Sequence, residues 1–196
     1  MPQPDNSHRR EFVLGNGSKL VLLIGDITRE SCDAIVNAAN SSLMGGGGVD
    51  GAIHDAGGPA ILDECKAIVH RIGPLPAGQV VVTAAGEMLS KRVIHTVGPV
   101  WYGGDREEAA TLANCYRNAL RLADSEELRS IAFPSISTGA FRYPVDQAAA
   151  IAVRAVSEEV PKLSNLKEVR FVLFDVRTHK HYVNAAHNVC TRADQT

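Results

Sequence analysis

A chain of 196 residues, 45% hydrophobic and 21% charged, is long enough to bury a substantial core and reads most simply as one globular domain. Its net charge of −2 argues against a nucleic-acid coat or an anionic membrane surface as the main partner. No run approaches the ~18 consecutive apolar residues of a membrane span, and an anionic ligand would have to be held by local dipoles.

The opening MPQPDNSHRREF has no apolar leader segment. Cys32, Cys65, Cys115 and Cys190 are scattered with no Cys-x-x-Cys pair, so reduced thiols in the cytoplasm are expected. Residues 1–10, polar and proline-containing, are expected to form a flexible tail ahead of a single domain over residues 11–190.

Glu11–Leu14, Gly15-Asn16-Gly17 and Lys19–Gly25 read as a hairpin with a glycine-bearing turn. The apolar run LVLLIG suits a strand covered on both faces. Asp26 or Thr28, directly after it, is placed to cap a short helix. Ala34–Asn37 is the next strand, and it feeds a loop with four successive glycines, Gly45 to Gly48. Glycines bury no side chain and cost folding entropy, so this run offers backbone that can approach a ligand closely. A glycine loop entering a helix is an anion site, because unpaired N–H groups and the helix dipole both favour negative charge. Asp50 falls in the first turn of that helix. A carboxylate beside a phosphate cradle repels the ligand, which points to chemistry or to a sugar hydroxyl partner.

Pro59 opens a helix to about Arg71. Gln79–Ala84 and Arg92–Val97 read as strands. Asp105 with Glu108 forms a capping-box pattern before a helix ending near Asp124. Ser130–Phe133 is a strand running into the polar loop PSISTGAF, and Pro144 opens an alanine-rich helix to about Val160. Glu168–Phe174 is the last strand and Thr178–Cys190 a terminal helix. Strands alternating with helices predict an α/β fold around a mixed, largely parallel sheet.

In such sheets ligands bind outside the carboxyl ends of the strands. Gly25–Thr28, Asn37–Asp50, Ser135–Phe141 and Phe174-Asp175 all leave strand ends, predicting one elongated cleft. Two anion loops near its middle suit a pyrophosphate better than a single phosphate. At one end Asp26 would accept from a base amino group, with Phe141 and Phe174 to cover a sugar and a base.

Rival motifs fit less well. Gly46–Gly51 matches G-x-G-x-x-G, but that motif should follow a strand immediately, and Ser41–Met44 intervene. No lysine follows the glycines, as a Walker A loop requires. There is no G-x-S-x-G elbow, and Ser135 and Ser137 read as loop hydrogen-bonders. His179, His181 and His187 read as surface histidines of the terminal helix, with no cysteine or carboxylate at ligand spacing, so no metal site is expected. His54, one turn after Asp50, either orients it or packs. Cys32 has no evident base beside it and reads as a buried thiol.

GDIT (Gly25–Thr28), VNAAN (Val36–Asn40), GGGGVDGAIH (Gly45–His54), HTVGPVW (His95–Trp101) and SISTGAF (Ser135–Phe141) together resemble the macrodomain family, specifically its MacroD-type branch. The likeness runs from about Lys19 to about Tyr182, with motifs in the family's order and spacing. It implies a three-layer α/β/α macrodomain fold with a mixed sheet and an ADP-ribose cleft. The implied activity is hydrolysis of O-acetyl-ADP-ribose and removal of mono-ADP-ribose ester-linked to acidic protein side chains. No cofactor is implied, and the partners are ADP-ribose, O-acetyl-ADP-ribose and mono-ADP-ribosylated proteins, met by a monomeric chain.

By the same resemblance Asp26 binds the adenine amino group, with Ile27 beside it through its backbone, and Phe174 stacks on adenine. Asn40 lies near the distal ribose and Asp50 is the catalytic aspartate. Gly47, Gly48 and Val49 cover the diphosphate. Ser137, Thr138, Gly139 and Ala140 form the second phosphate loop, and Phe141 packs on the distal ribose. Asp55-Ala56-Gly57-Gly58 departs from the family, which more often has a basic residue and a second alanine there. Ester hydrolysis without metal or nucleophile requires a positioned water. Either Asp50 polarises it or holds the neighbouring ribose hydroxyl, or the α-phosphate itself takes the proton. Two other classes stand beside the enzyme: a non-catalytic ADP-ribose reader, against which Asn40 and Asp50 speak, and a single-stranded RNA binder, which lacks a basic stripe with interleaved aromatics.

Overall fold

The computed structural model describes residues 8–193, with side chains through Val189. The expected hairpin is β1 (Arg10–Val13) against β2 (Lys19–Ile24), paired antiparallel with Glu11 opposite Val21. Arg10, placed in the tail by the sequence reading, already pairs with Leu22, so the sheet begins one residue early. Residues 1–7 lie outside the described residues. A 3-10 turn (Ile27–Arg29) follows β2, and Asp26 caps it by accepting the Thr28 N–H at 3.0 Å.

Then come β3 (Ala34–Ala39), α1 (Gly48–Gly57), α2 (Pro59–Ile72), β4 (Val80–Ala84), β5 (Arg92–Val97) and α3 (Glu108–Ser125). The chain continues through β6 (Ser130–Phe133), α4 (Val145–Glu159), β7 (Glu168–Leu173) and α5 (Val176–Ala193). The described strands form one sheet in the order β1-β2-β7-β6-β3-β5-β4. Its five inner strands run parallel, and antiparallel β1 and β4 close the two edges. The mixed character therefore has two sources, of which only the opening hairpin is announced by its turn.

Alternation along each inner strand separates two cores, because side chains of a strand point to opposite faces in turn. Val36, Ile94, Ile131, Phe133 and Phe171 join the larger core under α3, α4 and α5. Ile35, Val93, Ala132 and Val172 join the smaller one under α1 and α2. The chain is thus a three-layer α/β/α fold with a mixed sheet.

Two local expectations change. The capping box at Asp105 and Glu108 does not form: α3 starts after Glu107 (φ 58) without a side-chain cap. Glu108 instead turns back into the preceding loop, accepting the N–H groups of Tyr102, Gly104 and Arg106 at 3.1, 3.2 and 2.6 Å. Three backbone donors on one buried carboxylate fix this loop more firmly than a reciprocal cap would. His179 is buried, not a surface residue, and its ring stands edge-on to His8 at 5.8 Å. The helix phase explains it, since His179, Tyr182 and Ala186 fall on one face. Cys32, Cys65 and Cys115 are buried free thiols, as expected of Cys32, while the Cys190 side chain lies outside the described ones. No described helix is long and apolar enough to cross a membrane.

Candidate functional site

The carboxyl ends of β2, β3, β6 and β7 open on one cleft of about 960 Å³. Every site residue expected from the sequence lines it, from Asp26, Ile27 and Phe174 at one end, past Gly47–Val49 and Ser137–Phe141, to Asn40 and Asp50. Phe174 is 92% exposed, so a large apolar ring stands in water at the mouth.

The glycine loop is built as an anion cradle. Gly45 has φ 80 and Gly48 φ 62, left-handed values that glycine adopts without penalty. Gly47 caps α1 with no side-chain hydrogen bond, which leaves first-turn N–H groups free for a ligand. Gly46 is small for a different reason: a β-carbon there would stand 3.2 Å from Asp50 Oδ2 and 3.4 Å from Asn40 Nδ2. Gly51 makes room for the loop itself, since its β-carbon would lie 2.5 Å from the Gly46 carbonyl oxygen.

Asn40 is committed on both sides. Its Nδ2 donates to the Gly45 carbonyl at 2.8 Å and reaches Asp50 Oδ2 at 3.3 Å, while Oδ1 accepts from Ser42 N and Oγ at 3.0 and 2.6 Å. It therefore ties the glycine loop to the carboxylate as well as facing the cleft. Asp50 is only 4% exposed. Its Oδ1 accepts from Asn37 Nδ2 at 2.7 Å, and His54 Nε2 stands 3.5 Å from the same oxygen. Of the two sequence readings of His54, the ring is packed beside Asp50 at ion-pair distance, with no hydrogen-bond partner for Nε2 among the described residues. A carboxylate buried by so many donors is held in one orientation, which is what orienting or activating a water requires.

The second loop carries its own strain. Ser137, not a glycine, has φ 66, and its buried Oγ finds no hydrogen-bond partner among the described residues. Such a conformation costs on the order of 1–3 kcal/mol and persists where the surroundings enforce it. Gly98, at the end of β5, lets Ser137 approach, because a β-carbon there would collide with its Oγ. The Trp101 N–H donates to the Phe141 carbonyl at 2.9 Å, tying the end of this loop to the β5–α3 connection.

Sequence reasoning missed Gly98 and the support behind Asp50. Asn37 and His95 are direct partners in the β3–β5 register, both fully buried on the α1/α2 face. The available signal was a polar residue at an inward position of each apolar strand, in VNAA and RVIHTV. The fold also gathers His54, Cys65 and His95, whose ligand atoms lie within 4.8 Å of one another, although their sequence spacing gives no hint of it. This donor set suits hydrogen bonding better than a metal. His95 Nε2 is paired with Thr83 Oγ1 at 2.9 Å, and burial holds the Cys65 thiol protonated, its pKa raised to about 11.

Comparison with known proteins identifies the family and the fold. Residues 36–152 match the family described as Macro domain. A Salmonella newport protein named O-acetyl-ADP-ribose deacetylase is 55% identical over 165 residues, covering 84% of this chain and 92% of that protein. The Oceanobacillus iheyensis macrodomain solved with ADP superposes with a TM-score of 0.89 at 40% identity, covering 94% of this chain and 97% of the other. The Trypanosoma brucei macrodomain in complex with ADP-ribose gives 0.77 at 36% identity, covering 84% and 68%. With its three layers, its two loops at the strand ends and relatives matched along most of its length, the chain belongs to the macrodomain family.

Proposed function

We propose that this chain is an ester hydrolase that converts O-acetyl-ADP-ribose and water to ADP-ribose and acetate, and that it releases mono-ADP-ribose ester-linked to acidic side chains of proteins. The observation that carries the reading is Asp50, a buried carboxylate fixed by two asparagine amides inside an otherwise anion-accepting cleft. A pure binding site for a diphosphate gains nothing from it. The deacetylase names of relatives with more than half their residues identical support the same chemistry.

In this reading Asp26 accepts the adenine amino group, Ile27 offers backbone and Phe174 covers the base. Gly47, Gly48 and Val49 meet Ser137, Thr138, Gly139 and Ala140 across the diphosphate. Phe141 and Asn40 set the distal ribose, which brings the ester next to Asp50. The water is positioned by protein and substrate oxygens, with no metal in the scheme. Three buried unpaired thiols suit a reducing, cytoplasmic setting.

Turnover of O-acetyl-ADP-ribose should fall about 10²-fold or more in Asp50→Ala, the range for a positioned acid–base group. Affinity for ADP-ribose should change by less than about tenfold, because an anion beside an anionic ligand contributes little to ground-state binding. Asp50→Asn serves as the variant that keeps an acceptor for Asn37. Binding without any turnover in the unaltered protein would make it a reader. Loss of turnover in EDTA, restored by added metal, would remove the metal-free scheme.

A further inference from the structure

Behind Asp50 lies a row of polar side chains outside the lining of the cleft. Asn37, His95 and Thr83 sit on the same face of β3, β5 and β4, each buried. Asn37 Nδ2 has two protons. One goes to Asp50 Oδ1 at 2.7 Å, and the other points at His95 Nδ1, 3.1 Å away. An amide nitrogen only donates, so Nδ1 must accept, and the neutral ring then carries its proton on Nε2. That proton meets Thr83 Oγ1 at 2.9 Å, and the threonine hydroxyl donates onward to the Ala84 carbonyl at 2.9 Å. The row therefore has one direction, from Asn37 through His95 and Thr83 to a backbone oxygen.

Reversing any member is costly. With Nδ1 protonated, the ring would face the Asn37 amide donor with a donor of its own. Only an amide flip would relieve this, and the flip would aim Asn37 Oδ1 at the Asp50 carboxylate. The groups facing His95 are Asn37 and Asp50, His54 from α1 at a ring distance of 6.2 Å, Cys65 from α2 at 3.9 Å, and Thr83. Burial is the main force keeping the ring neutral, with His54 adding to it, and together they push its pKa down to about 3.

We infer that His95 and Thr83 are positioning residues for Asp50: a single imidazole tautomer, held between the Asn37 amide and the threonine hydroxyl, fixes that amide and through it the carboxylate. The kinetic consequence rests on the ester-hydrolase reading; the tautomer and its effect on Asp50 do not.

The test combines NMR with kinetics on the full chain. Long-range 15N–1H spectra of the unaltered protein should show His95 protonated on Nε2 alone between pH 5 and 8; an Nδ1–H tautomer, or an imidazolium in that range, overturns the inference. Thr83→Val, which keeps the volume and removes the hydroxyl, should shift the carboxyl-carbon resonance of Asp50 at pH 7, and Thr83→Ser should restore it. An unmoved Asp50 resonance in a folded Thr83→Val protein also overturns it. With O-acetyl-ADP-ribose, Thr83→Val should lower kcat about tenfold, the smaller end of what outer-shell partners contribute, and leave KM within about twofold. Parallel loss of ADP-ribose binding and turnover would mark a structural role and sink the inference. If the unaltered protein shows the tautomer and the Asp50 response but no turnover, the hydrolase reading fails alone.

Discussion

Tyr182 reaches from α5 beneath the Ser135–Phe141 loop and donates its phenolic O–H to Ser135 Oγ at 3.0 Å, across 47 positions of sequence. Tyr116, from α3, accepts the Ile136 N–H at 3.2 Å, and the two phenol oxygens lie 3.4 Å apart. Two helices of the larger core thus hold the loop from below and leave its upper surface facing the cleft. In Tyr182→Phe the ring keeps its packing on Phe171, 4.8 Å between centroids, so the loss isolates the hydroxyl. Stability should drop by about 1 kcal/mol, the net worth of a hydrogen bond. ADP-ribose affinity should fall about threefold to tenfold for the same reason. Denaturant titration and calorimetry read the two effects, and full affinity in the variant would free the loop from α5.

Gly47 in the first loop and Gly51 in the first turns of α1 should respond differently to alanine. Gly47 is extended (φ −103, ψ 177) and a β-carbon there meets nothing within 4 Å. Gly47→Ala should keep its melting temperature and lose ligand affinity, because the methyl group enters the cleft. At Gly51 the β-carbon would press the Gly46 carbonyl, moving the loop. The helix-propensity gain of about 1 kcal/mol from replacing glycine offsets part of the stability cost. Affinity is not protected in that way, and a Gly51→Ala protein with unchanged ADP-ribose binding would contradict the packing described.

Asp26 caps a turn and, in the proposed reading, accepts the adenine amino group, and two substitutions separate these roles. Its Oδ1 accepts the Thr28 N–H and hydroxyl at 3.0 and 2.7 Å, which caps the 3-10 turn. Asp26→Ala should weaken ADP-ribose by about 1–3 kcal/mol, the scale of a hydrogen bond to a charged group. Asp26→Asn retains an oxygen for the cap, so it should keep the fold and still lose discrimination between ADP-ribose and IDP-ribose, whose base lacks the amino group. Equal preference in the unaltered protein would remove Asp26 from base recognition.

His95 should make the fold acid-sensitive. Its pKa is lowered from 6.5 to about 3, mainly by burial and secondarily by His54. Between those values the unfolded chain binds a proton that the folded chain excludes, so stability rises with pH in this window. The contribution is complete above the unfolded value and drains as pH falls toward the folded one, with a slope of at most about 1.4 kcal/mol per pH unit. Urea denaturation of the unaltered protein against His95→Gln, from pH 7 down to 4, should show the gap closing with acid. Parallel curves would mean that His95 takes up its proton as readily in the folded chain as in the unfolded one.

The cleft was largely legible because its parts are local. A glycine run, an aspartate directly after a strand and a polar loop leaving an apolar one announce themselves within a few residues. What supports them was not legible, for reasons of register. Asn37 and His95 are 58 positions apart and meet only because β3 and β5 align them. Glu108 carries the sequence of a cap, but three loop N–H groups compete for the same carboxylate. The direction of β4 was hidden too, since its valines suit an edge strand of either sense. His179 is the exception that counting could have caught, one turn before Tyr182 on the same buried face.

The position of β7 bears on how the chain comes off the ribosome. Beyond their own hairpin, β1 and β2 join the sheet only through β7, which is made after all the other strands. Until Glu168–Leu173 has emerged, the Asp26 side and the two anion loops belong to unconnected pieces of sheet. A nascent chain stalled before that strand therefore lacks one wall of the cleft, and on the proposed reading full capture of ADP-ribose by stalled chains of increasing length should switch on in one step there. Pairings so distant in sequence are slow to form, which leaves the early strands waiting with an open edge.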